Sequence, residues 1–454
     1  MMSSDIKFSS ALYFLLFLFG VAFLFLRNPD PIFNPIVYAE DGTWIALGLR
    51  EGWGEALWSA REDYFVFLNI LLLFISTCIA TTVGNGTIEN LPYAIAFVSF
   101  SFFSAFGILV FATLKSVSST IFATLGFVLS LMIPLGISQN EIIGRIIQVG
   151  FFAPAIAAML FFWRTQYQED WKKYAIDIAI ILSAGTNPVV FVLAFFYYLR
   201  VYFSARFSFV WVLKHNLFSI ALLSILAIAT FSRMKGSSAI PDNFVLSNLF
   251  EASISRSILY PLIFPWYRQF SDFSSLGFFL LFVLIVFIAL RTSTNSEAKE
   301  LTYSVITTTI IYLVLTFLMR RGLTGFLNHY QTTFPDRYFM GINVLVLLLV
   351  VLCIAQLVSN HKTRLLGVFL SVGIVLVYGL NYSQIFEWKA SKLPLRGPFT
   401  FEEQICLSDV VANIAEIQIY PELPKWKMFI PKEYIEKKRC IFNSYEDLGV
   451  ARPG

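Results

Sequence analysis

The chain has 454 residues, of which 57% are hydrophobic and only 14% charged, and its mean hydropathy is +0.71. A water-soluble protein of this length could not hide so much apolar surface, and its long continuous runs exclude the short alternating strands of a barrel. The formal net charge of +4 is small, its sign says little, and no nucleic-acid partner is expected.

The first apolar run, 10–27, has Lys7 before it and no small-residue cleavage site after it, so it reads as a signal anchor. Directly behind it stands Tyr38-Ala39-Glu40-Asp41-Gly42-Thr43, which puts two adjacent carboxylates at the edge of an apolar span. Thr43 to Ala60, with Trp44, Trp53 and Trp58, reads as an amphipathic stretch lying on the membrane. Further apolar runs cover 64–83, 91–114, 118–137, 147–163, 174–203, 210–231, 273–291, 301–319, 338–359 and 365–383. Gly185-Thr186-Asn187-Pro188 interrupts the 174–203 run and predicts two half-helices, because proline removes a helix hydrogen bond and glycine loosens the backbone.

The expected fold is an all-α polytopic membrane protein with about eleven transmembrane segments or half-helices over residues 1–383. A small ordered polar region, 384–454, follows; it carries Pro394, Pro398, Pro421, Pro424 and Pro431 but keeps Trp388 and Trp426. Cys406 and Cys440 fall in that region and would suit a disulfide outside the cytoplasm. Cys78 and Cys353 lie in apolar runs and read as packing residues. No internal repeat is visible.

Basic residues in short loops set the orientation. Lys115, Arg164, Lys172, Lys173, Arg200, Arg206, Lys214, Arg291, Lys299, Lys362 and Arg364 can all be cytoplasmic if 64–83 lies along the outer interface and 174–203 forms an outward hairpin. The N-terminus is then cytoplasmic, and 28–90, 138–146, 232–272, 320–337 and 384–454 are external. A rival arrangement has 64–83 crossing and 174–203 as one span, with Lys172 and Lys173 outside. Both keep Asp41 and Arg337 outside.

Three polar groups could carry chemistry. A carboxylate of Glu40-Asp41 held at the interface could deprotonate a hydroxyl near a lipid-carried substrate. Glu141, in a loop between two apolar runs, is either a second acid in the same cavity or a capping residue paired with Arg145. Arg320, Arg321, His329, Asp336 and Arg337 form the densest late polar cluster; arginine's planar fork suits phosphate, though arginine also snorkels to headgroups. The 232–272 loop, with Arg233, Arg256 and Phe264-Pro265-Trp266-Tyr267, reads equally as a lid or an interfacial helix. There is no nucleotide-binding glycine motif, no HExxH and no Cys/His metal cluster, and ionisable residues inside the runs are scarce apart from Asp177, which argues against an ion-coupled pump.

Taken together, these features resemble the GT-C superfamily of integral-membrane glycosyltransferases, whose donors are polyprenyl-phosphate-linked sugars. The acidic motif matches Glu40-Asp41, the membrane-lying helices match Thr43–Ala60 and 64–83, and the second acidic loop matches Glu141. The broken helix matches Ala184 to Pro188, and the late arginine matches Arg337. Asp63-Tyr64-Phe65 stands where many relatives carry Pro-Pro-Leu. The resemblance implies an inverting transfer to a glycan, lipid or protein acceptor. Asp41 would be the base, Glu40 and Glu141 would assist, and Arg337, with Arg321 and His329, would hold the donor phosphate. It leaves open a divalent cation, with Asp41 and Glu141 as its candidate ligands. A transporter or flippase for a lipid-linked or polyanionic substrate, or a non-catalytic subunit of an envelope assembly complex, are the alternatives. The expected location is a bacterial inner membrane; sequons at Asn85 and Asn381 keep an endoplasmic-reticulum protein in view.

Overall fold

A computed structural model describes residues 10–136, 139–167, 171–233, 244–264, 266–320, 322–329, 336–386, 399–421 and 426–435, with Arg268 and His329 as backbone only. Helix α1 (Ser10–Arg27) ends at a short turn, α2 (Asp30–Phe33). The acidic motif opens α3 (Ala39–Glu51), which breaks at Gly52 into α4 (Trp53–Ser59). Then come α5 (Phe67–Val83), α6 (Leu91–Val117) and α7 (Thr120–Leu131). Small residues let α1 and α6 approach closely: Ser104 Oγ donates to the Phe17 carbonyl at 2.8 Å, beside Gly20.

Helix α7 is shorter than the 118–137 run predicts. It stops ahead of Pro134, and its freed carbonyls are taken by a buried cation, Arg27, which donates to Leu131 O and, at 2.7 Å, to Ile133 O. The same guanidinium reaches Gln139 at 3.0 Å, in the one-turn α8 (Gln139–Ile142). The end of α1 thereby anchors the second acidic loop.

Helix α9 (Ala153–Gln166) precedes α10 (Trp171–Ala184) and α11 (Val189–Ser204), which the 185–188 interruption separates as expected. At the tip of this hairpin Asn187 Nδ2 donates to Gly150 O at 3.1 Å, and Gly185 O accepts from Phe67 N at 3.0 Å. The tip thus lies on the side of the molecule that carries the 139–152 segment. Helix α12 (Phe209–Arg233) is kinked at Asn216. Within the 232–272 loop a π-helical turn, Glu251–Leu259, runs into α13 (Tyr260–Ile263). Ala252, Arg256 and Ser257 of this turn are fully buried. The chain continues through α14 (Asp272–Thr292), α15 (Ser296–Met319), α16 (Leu323–Phe326), α17 (Asp336–Ser359), α18 (Arg364–Leu380), α19 (Tyr382–Phe386) and α20 (Phe401–Cys406).

Among the described residues, α1, α6, α12, α14, α15 and α17 are long and apolar enough to cross a membrane. The protein is a helical, multi-pass membrane protein. Helix α17 is its axis, 89% buried over its apolar window, whereas α14 is 11% buried and turns its apolar surface outward, as a lipid-facing helix does.

The described C-terminal residues add a three-stranded antiparallel sheet: β1 (Asp409–Val411), β2 (Ile414–Gln418) and β3 (Lys427–Pro431), in that order. Its first hairpin turns on Ala412-Asn413, both at positive φ, the form that matches strand twist. Ala415, Ile417, Met428 and Ile430 are fully buried in one apolar cluster with Ile45 of α3, Leu73 and Ala80 of α5, and Ile95 of α6. The sheet therefore covers the Ile45 side of α3. Gly42 makes the contact possible, because a Cβ there would meet Ile419 at 2.5 Å. Cys406 is disulfide-bonded. Its expected partner, Cys440, lies outside the described residues.

Candidate functional site

An isolated parallel bridge, Tyr38 to Tyr420, ties the backbone before α3 to the C-terminal unit: Tyr420 N donates to Val37 O at 3.1 Å, and Ala39 N donates to Tyr420 O at 2.6 Å. Ala39 adopts φ +40°, a left-handed conformation that is unfavourable for a residue with a Cβ. This bend starts α3 with Glu40 and Asp41 in its first turn, where helix N–H groups favour negative charge.

Asp41 is fully buried. Its Oδ2 accepts from Ile146 N at 3.0 Å, while Oδ1 is buried without a partner among the described residues. Burial pushes its pKa up to about 7; the Ile146 N–H bond and the Arg145 charge oppose that shift, and Glu40 adds to it. Glu40 is half-buried.

The second loop is built to meet this carboxylate. Asn69 Nδ2 donates to Ile146 O at 2.7 Å and to Ile147 O at 3.0 Å, and Ser99 Oγ donates to Arg145 O at 2.8 Å. Gly144, at φ +85°, sits where a Cβ would meet Pro31 at 2.3 Å, so only glycine allows the loop to press against the end of α2.

Glu141 is buried and doubly engaged. Tyr38 Oη donates to its Oε1 at 2.8 Å, and Arg337 Nη1 donates to its Oε2 at 3.2 Å. Burial and the Glu141 charge both raise the Tyr38 pKa well above that of an ordinary phenol. The capping alternative paired Glu141 with Arg145; the structure pairs it with Arg337 instead. Arg145 donates to Ile36 O at 2.9 Å and stands 5.9 Å from the Tyr38 ring centroid. Tyr38, Glu141 and Arg337 thus form one hydrogen-bonded chain, and Asp41 is fastened separately, through Ile146 N, to the segment that carries Glu141.

The described members of the late polar cluster have different partners. Asp336 forms a buried ion pair with Arg256, whose guanidinium also donates to Tyr267 Oη at 3.0 Å and lies 3.9 Å from the Tyr260 ring centroid. Asn343 donates to the carbonyls of Arg256 and Ser257, each at 2.8 Å. These contacts fix the start of α17 and so set where Arg337 can reach. The Arg337 side chain remains 33% exposed. Arg320 stands 5.8 Å from the Tyr338 ring centroid. Arg321 and the His329 side chain lie outside the described residues.

Both Glu141 oxygens already accept hydrogen bonds, one from a guanidinium, and among the described residues no three acidic, histidine or cysteine side chains come together. The cavity lined by Asp30, Tyr38, Asn140 and Arg145 is about 10 Å³, on the order of one water rather than a sugar.

Tyr38, Asn69 and Arg256 hold this arrangement together, and the sequence reading did not assign them those roles. One signal was available for Asn69: a polar side chain in an apolar run is costly unless paired. No protein-family model matches the chain, and no curated protein matches it.

Proposed function

We propose that the protein is a membrane glycosyltransferase that moves a sugar from a polyprenyl-phosphate donor to an acceptor hydroxyl with inversion. The observation that carries this reading is the convergence of three sequence-distant elements on one loop: Tyr38 and Arg337 both bind Glu141, and Asp41 binds Ile146 N of the same segment. In this reading Asp41 takes the acceptor proton; a carboxylate near pKa 7 suits a base at neutral pH. The acceptor oxygen then bonds to the anomeric carbon as the bond to the lipid phosphate breaks. The phosphate leaves with the electron pair, and Arg337 stabilises its charge. The buried Asp41 Oδ1 admits an acceptor only if the 35–41 segment and the second loop part. Glu40, half-exposed in the same turn, is the rival base.

The proposed arrangement has about eleven transmembrane segments or half-helices in a bacterial inner membrane, the N-terminus cytoplasmic and the C-terminus external. Two observations support it. Helix α5, at 17 residues, packs with the C-terminal sheet, and the α10–α11 tip lies beside the Glu141 side of the molecule.

A second reading rests on the burial of Asp41. A carboxylate closed onto a backbone N–H can simply fasten two loops, as in a non-catalytic subunit of an envelope assembly complex. The deciding experiment compares envelope glycans in a strain lacking the protein after complementation with wild type, Asp41→Asn or Glu40→Gln at matched membrane abundance. Loss of a sugar with Asp41→Asn supports the proposed base, and loss only with Glu40→Gln moves the role one residue. Full restoration by both variants removes the glycosyltransferase reading.

A further inference from the structure

At the far ends of α9, α10 and α11 from the hairpin tip, the helices part around a cavity of about 570 Å³. Arg164, Lys173, Arg200 and Arg206 line it, with Glu300 as the acidic residue among the described lining side chains. Arg164 is paired with Asp177 and Arg200 with Glu300, each at 2.7 Å, so these six groups keep an excess of positive charge. Arg206 follows α11 at φ +51°, in a loop strained at two successive residues. On the other wall, Trp211 stacks on His215 with ring centroids 4.3 Å apart.

A second cavity, of about 490 Å³, shares Tyr197, Arg200 and Glu300 with the first and continues between α9, α11 and α15. Phe161, Leu193, Phe196 and Ile311 give it an apolar stretch beside Ser304, Thr307 and Thr308, and Lys299 stands with Arg200 among its lining residues. A basic chamber that shares a wall with a partly apolar slot matches an amphiphile with an anionic head. These loops are also the Lys- and Arg-rich ones that orient toward the anionic cytoplasmic leaflet.

We propose that this pair of adjoining cavities binds an anionic phospholipid, with its headgroup among Arg200, Arg206 and Lys299 and one chain in the slot beside Phe196. The site is separate from Asp41 and Glu141 and does not depend on the glycosyltransferase reading.

The test uses the full chain, purified in detergent and followed by native mass spectrometry with phosphatidylglycerol, phosphatidylcholine and inorganic phosphate as probes. Phosphatidylglycerol is expected to be retained over phosphatidylcholine, and Arg206→Gln with Lys299→Gln to cut that preference about tenfold. Arg206→Lys with Lys299→Arg should keep it, which separates charge from misfolding. Phe196→Ser should weaken lipid retention. Equal retention of both lipids by wild type, or an unchanged preference in the charge-removed variant, overturns the proposal. Displacement of phosphatidylglycerol by millimolar inorganic phosphate, with no effect of Phe196→Ser, would assign the cations to free phosphate and also overturn the lipid site.

Discussion

Arg337 and Glu141 stand 196 positions apart in the chain, yet Arg337 Nη1 lies 3.2 Å from Glu141 Oε2. The contact ties the start of the most buried span to the loop that also holds Asp41.

If Arg337 carries the leaving phosphate, Arg337→Lys keeps the charge but loses the planar fork. Sugar transfer should fall by about 10–100-fold at unchanged membrane abundance. Measuring transfer rate and abundance on the same membranes checks this, and an unchanged rate would remove Arg337 from the chemistry.

Asp41 should give the protein a pH signature. Its folded pKa of about 7 lies above the 3.8 of a free aspartate, so the folded state binds the proton more tightly than the unfolded state. This group's contribution to stability is therefore full below about pH 4 and is lost as pH rises towards 7. Asp41→Asn cannot ionise, so its melting temperature should fall less than that of wild type between those limits. Thermal unfolding of both proteins in detergent across that range is the measurement. If Asp41 is also the base, wild-type transfer should rise with pH through the same window.

Gly42 is the contact point between α3 and the C-terminal sheet. Gly42→Leu should cost about 1–3 kcal/mol through overpacking and loosen the sheet from the acidic turn. Hydrogen exchange at 409–418 should speed up while exchange within α17 stays slow. Equal protection at both places would mean that the sheet does not brace the turn.

The Arg256–Asp336 pair is buried on both sides. Removing one partner, as in Arg256→Met, should destabilise the protein by about 3–5 kcal/mol because it takes the opposite charge away from a buried carboxylate. Arg256→Met with Asp336→Leu should recover much of that loss. Comparing melting temperatures of the single and double variants separates the pair's cost from simple loss of volume.

Much of the helical framework was legible in the chain. A backbone in lipid must satisfy its own hydrogen bonds, so long apolar runs have little choice but helix. The runs at 210–231, 273–291 and 338–359 accordingly appear as α12, α14 and α17 with ends shifted by at most two residues. The break at 185–188 was equally local, since Gly185 and Pro188 act on their own turn. The early stop of α7 was less legible, because the buried Arg27 that takes its carbonyls lies 104 positions away from Leu131.

The sequence by itself determined that this is a helical membrane protein, and it put Glu40-Asp41, Glu141 and Arg337 forward as the residues to watch. Only the tertiary structure decided how they are paired. It turned Asp41 inward onto Ile146 N, gave Glu141 to Tyr38 and Arg337 rather than to Arg145, and spent Asp336 on Arg256. It also laid a β-sheet over the apolar Ile45 side of α3. Hydrophobic periodicity records that a face is buried, whatever buries it, and a charged side chain chooses its partner by distances that only packing sets.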